Sequence, residues 1–491
     1  MQTPHQRRPM PAAGRDEESI LADLVAYGGE DPKYKDGRTM SLVYYLDEGH
    51  DDFLAQAWKL YSSANGLNPT AFKSLKRFES EIIEAVAELH HGGPDTCGVV
   101  TSGGTESCLL AVKTYRDYMR AKKPWLLWPE MVLPRTAHVA WLKASEYFGV
   151  KIRFLPMGKD HRVDLSRLKK LINRNTVMVL ASAPEYPHGF VEPVEEMAAV
   201  AQRAGVPLHV DACVGGFVMP FVEKNGRPVP RWDYRVPGVT SISADIHKYG
   251  FSAKGASTIT YRSMEYMKHQ MFVEQDWPGG VFASPALLGT RPGGSYAAAW
   301  ATLQLFGEAG YRDLAERAMK AADGLKAGIS KIDGLQVIGD PPSPLFSYRS
   351  VDPDLNIFAV GDQMAQAGWH VDRLQFPDAL HAMITARHLE VVDAYLADLR
   401  AAVDTVRANP ELAKSGTAAT YGLMAHVPLR GMVKKQVLEL FSDMYRPGGS
   451  AIELEGGEAI PGADEEGLVG TLKGAANKAV EWYVDRKMRQ G

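Results

Sequence analysis

The chain of 491 residues is 45% hydrophobic and 23% charged, an ordinary globular balance that excludes a disordered, collagen-like or disulfide-stapled protein. Its 55 basic and 59 acidic side chains leave a net charge of −4, so no bulk field attracts nucleic acid or anionic lipid, and only a local basic patch stays open to such a role. No run approaches the roughly 18 apolar residues of a membrane span, and Cys97, Cys108 and Cys213 read as free thiols of a reducing, cytoplasmic compartment.

In chain order, residues 1–19 carry prolines and charges, and Arg7 and Arg8 are not followed by an apolar stretch, so this segment reads as a loose arm and not a signal peptide. Apolar spacing predicts helices over 17–26 and 51–62, with Gly37, Tyr44, Tyr45 and Asp47 in the tract between them. Phe72, Leu75, Phe78, Ile82, Val86 and Leu89 make one helix face, which Gly92-Gly93-Pro94 ends.

Short apolar runs at 98–101, 126–133, 151–155, 177–181, 207–210, 240–244 and 257–261 then read as strands, most of them separated by helical patterns at 106–120, 139–148, 165–173 and 193–204. Such alternation predicts an α/β domain whose largely parallel sheet is covered by helices on both faces. From about Tyr311 the pattern changes to helices at 314–332, 361–367 and 389–408 with short strands at 336–338, 345–348 and 382–385. The expected division is an N-terminal arm and helices over 1–70, a large domain over 71–310, and a small α/β domain with a helical tail over 311–491. The glycine-rich, acidic stretch 446–465 reads as a mobile loop.

Three segments lie where predicted strands end, the edge at which open α/β sheets bind ligands. Thr101-Ser102-Gly103-Gly104-Thr105-Glu106-Ser107 sets two glycines and several hydroxyls at a helix start, which suits an anion; it reads equally as a tight turn with a cap. It is neither a Walker A loop nor a dinucleotide turn. His209-Val210-Asp211-Ala212-Cys213 places an acid after an apolar strand, either paired with a cation or capping the next loop. Ser243-Ala244-Asp245-Ile246-His247-Lys248-Tyr249-Gly250, closed by Lys254-Gly255, sets lysines near both; alone, each lysine reads as a snorkelling surface residue. An anion cradle, a carboxylate and an amine in that order are what pyridoxal 5'-phosphate needs for its phosphate, its pyridine nitrogen and its aldehyde.

From about Gly37 to Tyr445 the chain resembles the sphingosine-1-phosphate lyase family of pyridoxal-phosphate enzymes. The resemblance is carried by GGPDTCGVVTSGGTES (92–107), HVDACVGGF (209–217), TSISADIHKYG (240–250), GTRPGG (289–294), Gln375-Phe376-Pro377 and Tyr421-Gly422. It implies fold type I with a mostly parallel seven-stranded sheet, and a homodimer with shared active sites. Lys248 would hold the cofactor aldehyde and later shuttle protons, and Asp211 would pair with the pyridine nitrogen. Ser102, Gly103, Gly104 and Thr105 would cradle the phosphate with His247 beside them, and His138 would stack on the ring. Thr290 and Gly293 would reach in from the partner subunit. Lys254 is implied as a partner of the substrate phosphate, or else packs on the sheet edge. Tyr44 or Tyr186 would orient or deprotonate the substrate hydroxyl, or else pack. Arg291 would be a ligand or an interface ion-pair residue.

Where the family has Asn-Pro-Leu-His-Pro, this chain reads Asn65-Gly66-Leu67-Asn68-Pro69. Asn68 does not titrate but still hydrogen-bonds a phosphate. The membrane anchor of eukaryotic members is not seen, which points to a soluble, bacterial-type form. The implied reaction is retro-aldol cleavage of a phosphorylated long-chain amino alcohol to a fatty aldehyde and phosphoethanolamine. An amino-acid decarboxylase on the same scaffold and a non-catalytic cofactor-binding protein are the competing readings.

Overall fold

The computed structural model describes residues 9–419, 421 and 430–446; Gly422 and the acidic stretch after Arg446 lie outside them. The main sheet contains seven strands: β1 (Cys97–Thr101), β2 (Glu130–Pro134), β3 (Lys151–Leu155), β4 (Thr176–Ser182), β5 (Leu208–Asp211), β6 (Val239–Ala244) and β7 (Ser257–Tyr261), in the order β1-β7-β6-β5-β4-β2-β3. Strands β6, β5, β4, β2 and β3 pair in parallel, while β7 is antiparallel to both neighbours. The reason is the connection: residues 245–256 between β6 and β7 are too few for a helical crossover, so the chain turns straight back. That short return carries Asp245, His247, Lys248 and Lys254. Strands β2, β4, β5, β6 and β7 are buried along their whole length, as continuous apolar runs covered on both faces must be.

Helices α1 (Glu17–Tyr27), α2 (Glu48–Leu60) and α3 (Lys73–Leu89) precede the sheet, and α4 (Gly104–Lys122), α5 (Ala140–Phe148), α6 (Leu168–Leu171), α7 (Val194–Arg203), α8 (Met219–Lys224) and α9 (Met264–Met267) accompany it. A hairpin of β8 (Phe272–Glu274) and β9 (Phe282–Ser284) leads to α10 (Gly293–Ile329), which breaks at Gly307, where φ is +53°. Strands β10 (Leu335–Val337), β11 (Leu345–Ser350), β12 (Arg373–Leu374) and β13 (Ala379–Met383) form a second, antiparallel sheet in the order β10-β11-β13-β12. It packs with α11 (Ile357–Gln366) and α12 (Val392–Ala408) around Phe346, Phe358, Trp369 and Leu399, and Met40 from the N-terminal tract joins that core. A last described helix, α13, spans Arg430–Met444.

All seven expected strands form, with two boundary corrections in this region. The run 126–133 becomes a strand only at Glu130, because Pro124 and Pro129 lack the N–H a ladder requires and hold the preceding residues in a loop. The segment 165–173 yields only a 3₁₀ turn and the four-residue α6. Helix α1 forms as its spacing predicts, yet buries no residue in this chain. The hairpin β8–β9 and the first half of α10 have no counterpart in the sequence reading.

Candidate active site

Where β1, β4, β5 and β6 end, a cavity of about 460 Å3 opens among Ser102, Gly103, Gly104, Thr105, His138, Tyr186, Asp211, Asp245, His247 and Lys248. Lys248 Nζ lies 2.9 Å from Asp245 Oδ2. Burial works against its ammonium, but Asp245 outweighs burial and lifts the pKa above the ordinary lysine value. The other carboxylate oxygen, Asp245 Oδ1, is buried without a hydrogen-bond partner, an expensive state that a bound polar group would relieve.

Opposite, Asp211 Oδ2 accepts from Trp141 Nε1 at 2.8 Å, and Oδ1 accepts from the Cys213 amide at 3.1 Å. Burial pushes the Asp211 carboxyl up, and these two donors overcome it, holding the pKa below its usual value so that the group stays ionised. A fixed anion there suits a protonated heterocyclic nitrogen.

The loop before α4 is shaped for close approach. A Cβ at Gly104 would stand 2.7 Å from Asp245 Oδ2 and 2.9 Å from Cys213 Sγ, so no larger residue fits. Glu106 Oε2 accepts from the Ser102 amide at 2.7 Å and Oε1 from the Leu287 amide at 2.9 Å, which ties the loop to the segment after β9. The start of α4 aims its amides and dipole at the same space. His247 Nδ1 accepts from the Ala256 amide at 3.2 Å, and His138 Nδ1 from the Ala140 amide at 3.2 Å, so each carries any proton on Nε2. Desolvation lowers both imidazole pKa values, keeping the rings neutral.

Tyr186 sits between rings, stacked on His381 at 4.4 Å and edge-on to His138 at 5.9 Å. Its phenol donates to Asp372 Oδ2 at 2.9 Å. Burial pushes against the Asp372 carboxylate, and His370, His381 and the Tyr186 phenol outweigh it, holding its pKa at about 2. A side chain of the second sheet region thus fixes one wall of the cavity.

Tyr44 and Lys254 meet on a neighbouring, more apolar cavity of about 750 Å3 that also includes Tyr34, Tyr45, Leu54 and Trp58. Lys254 Nζ lies 5.1 Å from the centre of the Tyr44 ring and donates to the Leu42 and His247 carbonyls at 3.2 and 3.4 Å. Burial first, and the Lys248 charge second, push the Lys254 pKa down to about 8. The Tyr44 hydroxyl contacts Met383 Sδ, and desolvation raises its pKa well above the ordinary phenol value.

Four residues of the sequence reading stand apart from the cavity around Lys248. Asn68 Oδ1 accepts from the Thr70 and Ala71 amides at 3.0 and 3.3 Å, closing its own turn before α3, and it lines a different hollow beside Arg291 and Tyr296. Thr290 Oγ1 accepts from Asn65 Nδ2 at 3.3 Å. Gly293 packs on α2's end, where a Cβ would meet the Ala64 and Tyr61 carbonyls at 2.9 Å. Arg291 is buried and donates to the Gly66 carbonyl.

Asp245, Trp141, Glu106 and Asp372 complete the site but were not singled out by the motifs. Asp245, three residues before Lys248, and Glu106, within the glycine-rich turn, had a local signal; Trp141 and Asp372 had none. The thiols of Cys108 and Cys213 gather with Asp211 within 4.8 Å, but burial holds Cys108 at about 11, and the hydrogen bond with Cys108, with burial second, raises Cys213 well above the ordinary thiol value, so both stay protonated and pack under the site. All three cysteines are free.

The donors fit pyridoxal phosphate: an amine, an ionised acid across the cavity, an unsatisfied carboxylate oxygen and a glycine cradle at a helix start. A family model described as the pyridoxal-dependent decarboxylase conserved domain matches residues 75–351. The chain is 43% identical over 403 residues to a sphingosine-1-phosphate lyase of Arabidopsis thaliana, covering 81% of this chain and 74% of that one. It is 40% identical to sphingosine-1-phosphate lyase 1 of Rattus norvegicus, covering 88% and 76%. Among solved structures, a sphingosine-1-phosphate lyase of Burkholderia pseudomallei superposes with a TM-score of 0.80 at 35% identity, over 89% of this chain and 97% of that one. A glutamate decarboxylase of Lactobacillus brevis, at 22% identity and TM-score 0.72 over 82% and 96%, shares the fold.

Proposed function

The chain belongs to the sphingosine-1-phosphate lyases within the pyridoxal-dependent decarboxylase family, and on that premise we propose that it cleaves the C2–C3 bond of a phosphorylated long-chain amino alcohol to a fatty aldehyde and phosphoethanolamine. It is a pyridoxal-phosphate-dependent lyase. When bound, the cofactor supplies an electrophilic carbon for the substrate amine and a ring that takes up the electron pair of the breaking bond.

The observation that carries the reading is that Lys254 lines the apolar cavity and donates to the carbonyl of His247, a residue that lines the polar one. A cation beside the polar cavity, at the border of an apolar one, suits a substrate with a phosphorylated head and a long tail. Lys248 would hold the cofactor aldehyde and deliver the proton that carbon 2 gains once the C2–C3 bond has broken. Asp211 would keep the pyridine nitrogen protonated. Ser102, Gly103, Gly104 and Thr105, with His247, would bind the cofactor phosphate, and His138 would face its ring. Tyr186, whose own phenol proton points at Asp372, would accept a hydrogen bond from the carbon-3 hydroxyl and orient it. Tyr44, whose raised pKa keeps it protonated, orients the substrate. Asn68 lines the other hollow and would meet substrate only from a second subunit.

A homodimer fits the same reading. Thr290 and Gly293 lie outside their own chain's cavity, and the nearby hairpin exposes Phe272, Val273, Trp277 and Val281, an apolar surface of the kind a second copy covers. No helix among the described residues is long and apolar enough to cross a membrane, and three free thiols fit the reducing cytoplasm.

Mass spectrometry of products from the cofactor-loaded protein and sphingosine 1-phosphate tests the reading. Phosphoethanolamine and the long-chain aldehyde are expected with the intact protein and not with Lys248→Ala. Cleavage should also collapse when the substrate phosphate is removed. Carbon dioxide from amino acids, without cleavage of the phosphorylated base, would move the chain to the decarboxylases.

A further inference from the structure

At the sheet edge opposite Lys248, where β2, β3 and β4 begin, the link from α4 to β2 reads Lys122-Lys123-Pro124-Trp125-Leu126-Leu127-Trp128-Pro129. Leu126 is buried, and its amide donates to the Lys123 carbonyl at 2.9 Å. That anchor turns its neighbours outward: Trp125, Leu127 and Trp128 are 70%, 72% and 77% exposed. A proline at each end restricts the backbone, so little further order is lost when these side chains are immobilised by a partner. Three large apolar side chains held in water by a stiff loop mark an interaction surface.

The surroundings state the sign of the partner. Arg120, Lys122 and Lys123 lead into the loop. The Lys123 Nζ donates to the Arg174 carbonyl at 3.3 Å, and the Lys151 amide donates to the Pro129 carbonyl at 2.9 Å, which brings Arg174 and Lys151 alongside. Three nearby acids are already paired: Glu130 with Arg153 at 2.6 Å, Glu265 with Lys122 at 3.2 Å, and Asp117 with Arg116 at 2.8 Å. Among the described residues, Arg120, Lys123, Lys151 and Arg174 have no carboxylate partner. Cations beside an exposed aromatic loop therefore stand on a chain whose net charge is −4.

We propose that this loop docks the protein on an anionic phospholipid bilayer, with Trp125, Leu127 and Trp128 entering the headgroup region and Arg120, Lys123, Lys151 and Arg174 facing the lipid phosphates. Indole rings favour the interface, where an apolar body and a polar N–H are both accommodated. Basic side chains gather at anionic leaflets, and apolar insertion together with charge holds a peripheral protein that either signal alone holds weakly. A second copy of the chain fits badly, because a two-fold contact through this patch would set the same cations against each other. The catalytic cavity lies at the far ends of the strands, so the loop tethers the protein and does not feed the cavity. The proposal rests on the loop and not on the reaction.

Co-sedimentation of the full-length holoenzyme with vesicles tests it, using phosphatidylcholine alone and phosphatidylcholine with phosphatidylglycerol. Wild type should sediment with the phosphatidylglycerol vesicles and be released by salt. Trp125→Ser/Trp128→Ser and, separately, Lys123→Glu/Arg174→Glu should each weaken binding about tenfold or more, with cleavage of detergent-dispersed substrate unchanged. Binding that ignores phosphatidylglycerol content, or that neither double variant weakens, overturns the proposal. So does a change of sedimentation coefficient in the tryptophan variant without vesicles, which would make the loop a contact between copies. Because cleavage is followed in parallel, failure of the lyase reading appears separately, as vesicle binding without product.

Discussion

At the edge where β1, β5 and β6 end, Lys248, Asp245 and Asp211 are withdrawn from water and hold one another or are held by Trp141 and the Cys213 amide. At the edge where β2, β3 and β4 begin, Lys123, Lys151 and Arg174 have no carboxylate partner among the described residues and stand near two exposed indoles. The same residue types do different work because of solvent. In the cavity a single neighbouring charge shifts a pKa strongly; at the open edge it is screened within about 8–10 Å, and only the sum of several charges matters. Substitutions at the first edge should therefore act singly and steeply, while those at the second should act by accumulation.

The steepest test is Lys248→Ala, expected to lower turnover by on the order of 10³-fold, read as product by mass spectrometry alongside loss of the bound cofactor's absorbance. Asp211→Asn follows, with a loss of roughly 10²-fold, since the amide still accepts from Trp141 but no longer holds a cation on the ring; an activity near wild type would remove Asp211 from the site. Tyr186→Phe and Asp372→Asn should each lower kcat about tenfold, and the double variant should lose little more than either, because the two act as one hydrogen-bonded unit. Additive losses in that double-mutant cycle would separate the second sheet region from the chemistry.

Lys254 sharpens the comparison through pH. Its pKa, lowered to about 8, means the charged form is lost as pH rises through that value, so kcat/KM for the phosphorylated substrate should fall on the alkaline side. In Lys254→Arg that limb should move beyond the measurable range, because guanidinium stays protonated. A limb unchanged by the substitution would assign the titration to another group. The smallest effect concerns Glu192, buried while accepting from the Ser182 amide at 2.7 Å and Thr136 Oγ1 at 3.0 Å. Desolvation raises its pKa to about 8. Because the folded value lies above the unfolded one, its stabilising contribution is full below about pH 4.3 and is lost as pH rises through 8. Glu192→Gln removes that loss, so its Tm at pH 8 should exceed wild type by roughly 2–4 °C, the shift for about 1 kcal/mol in a domain of moderate size, measured by thermal unfolding at acidic and alkaline pH.

What the sequence by itself determined is local in origin. The seven strands of the main sheet follow from short apolar runs, and the parallel pairing of β2 through β6 from the helical patterns between them. Lys248, Asp211 and the Ser102–Thr105 turn were legible because each sits within a few residues of a strand end, where chain direction alone presents it to the ligand edge. The second sheet was legible in part: β10 and β11 had a strand pattern, while two-residue β12 is too short to carry one.

Tertiary structure decided the rest, because the groups concerned meet only across long stretches of chain. Trp141 reaches Asp211 over 70 positions, and Asp372 reaches Tyr186 over 186; no spacing rule foretells such pairs. The run at 126–133 looked like one strand because Leu126, Leu127 and Trp128 are as apolar as the strand that follows. Only the buried anchor at Leu126 and the outward turn of its neighbours distinguish surface meant for water's edge from surface meant for the core. Hydrophobicity is a property of the residue, but burial is a property of what packs against it.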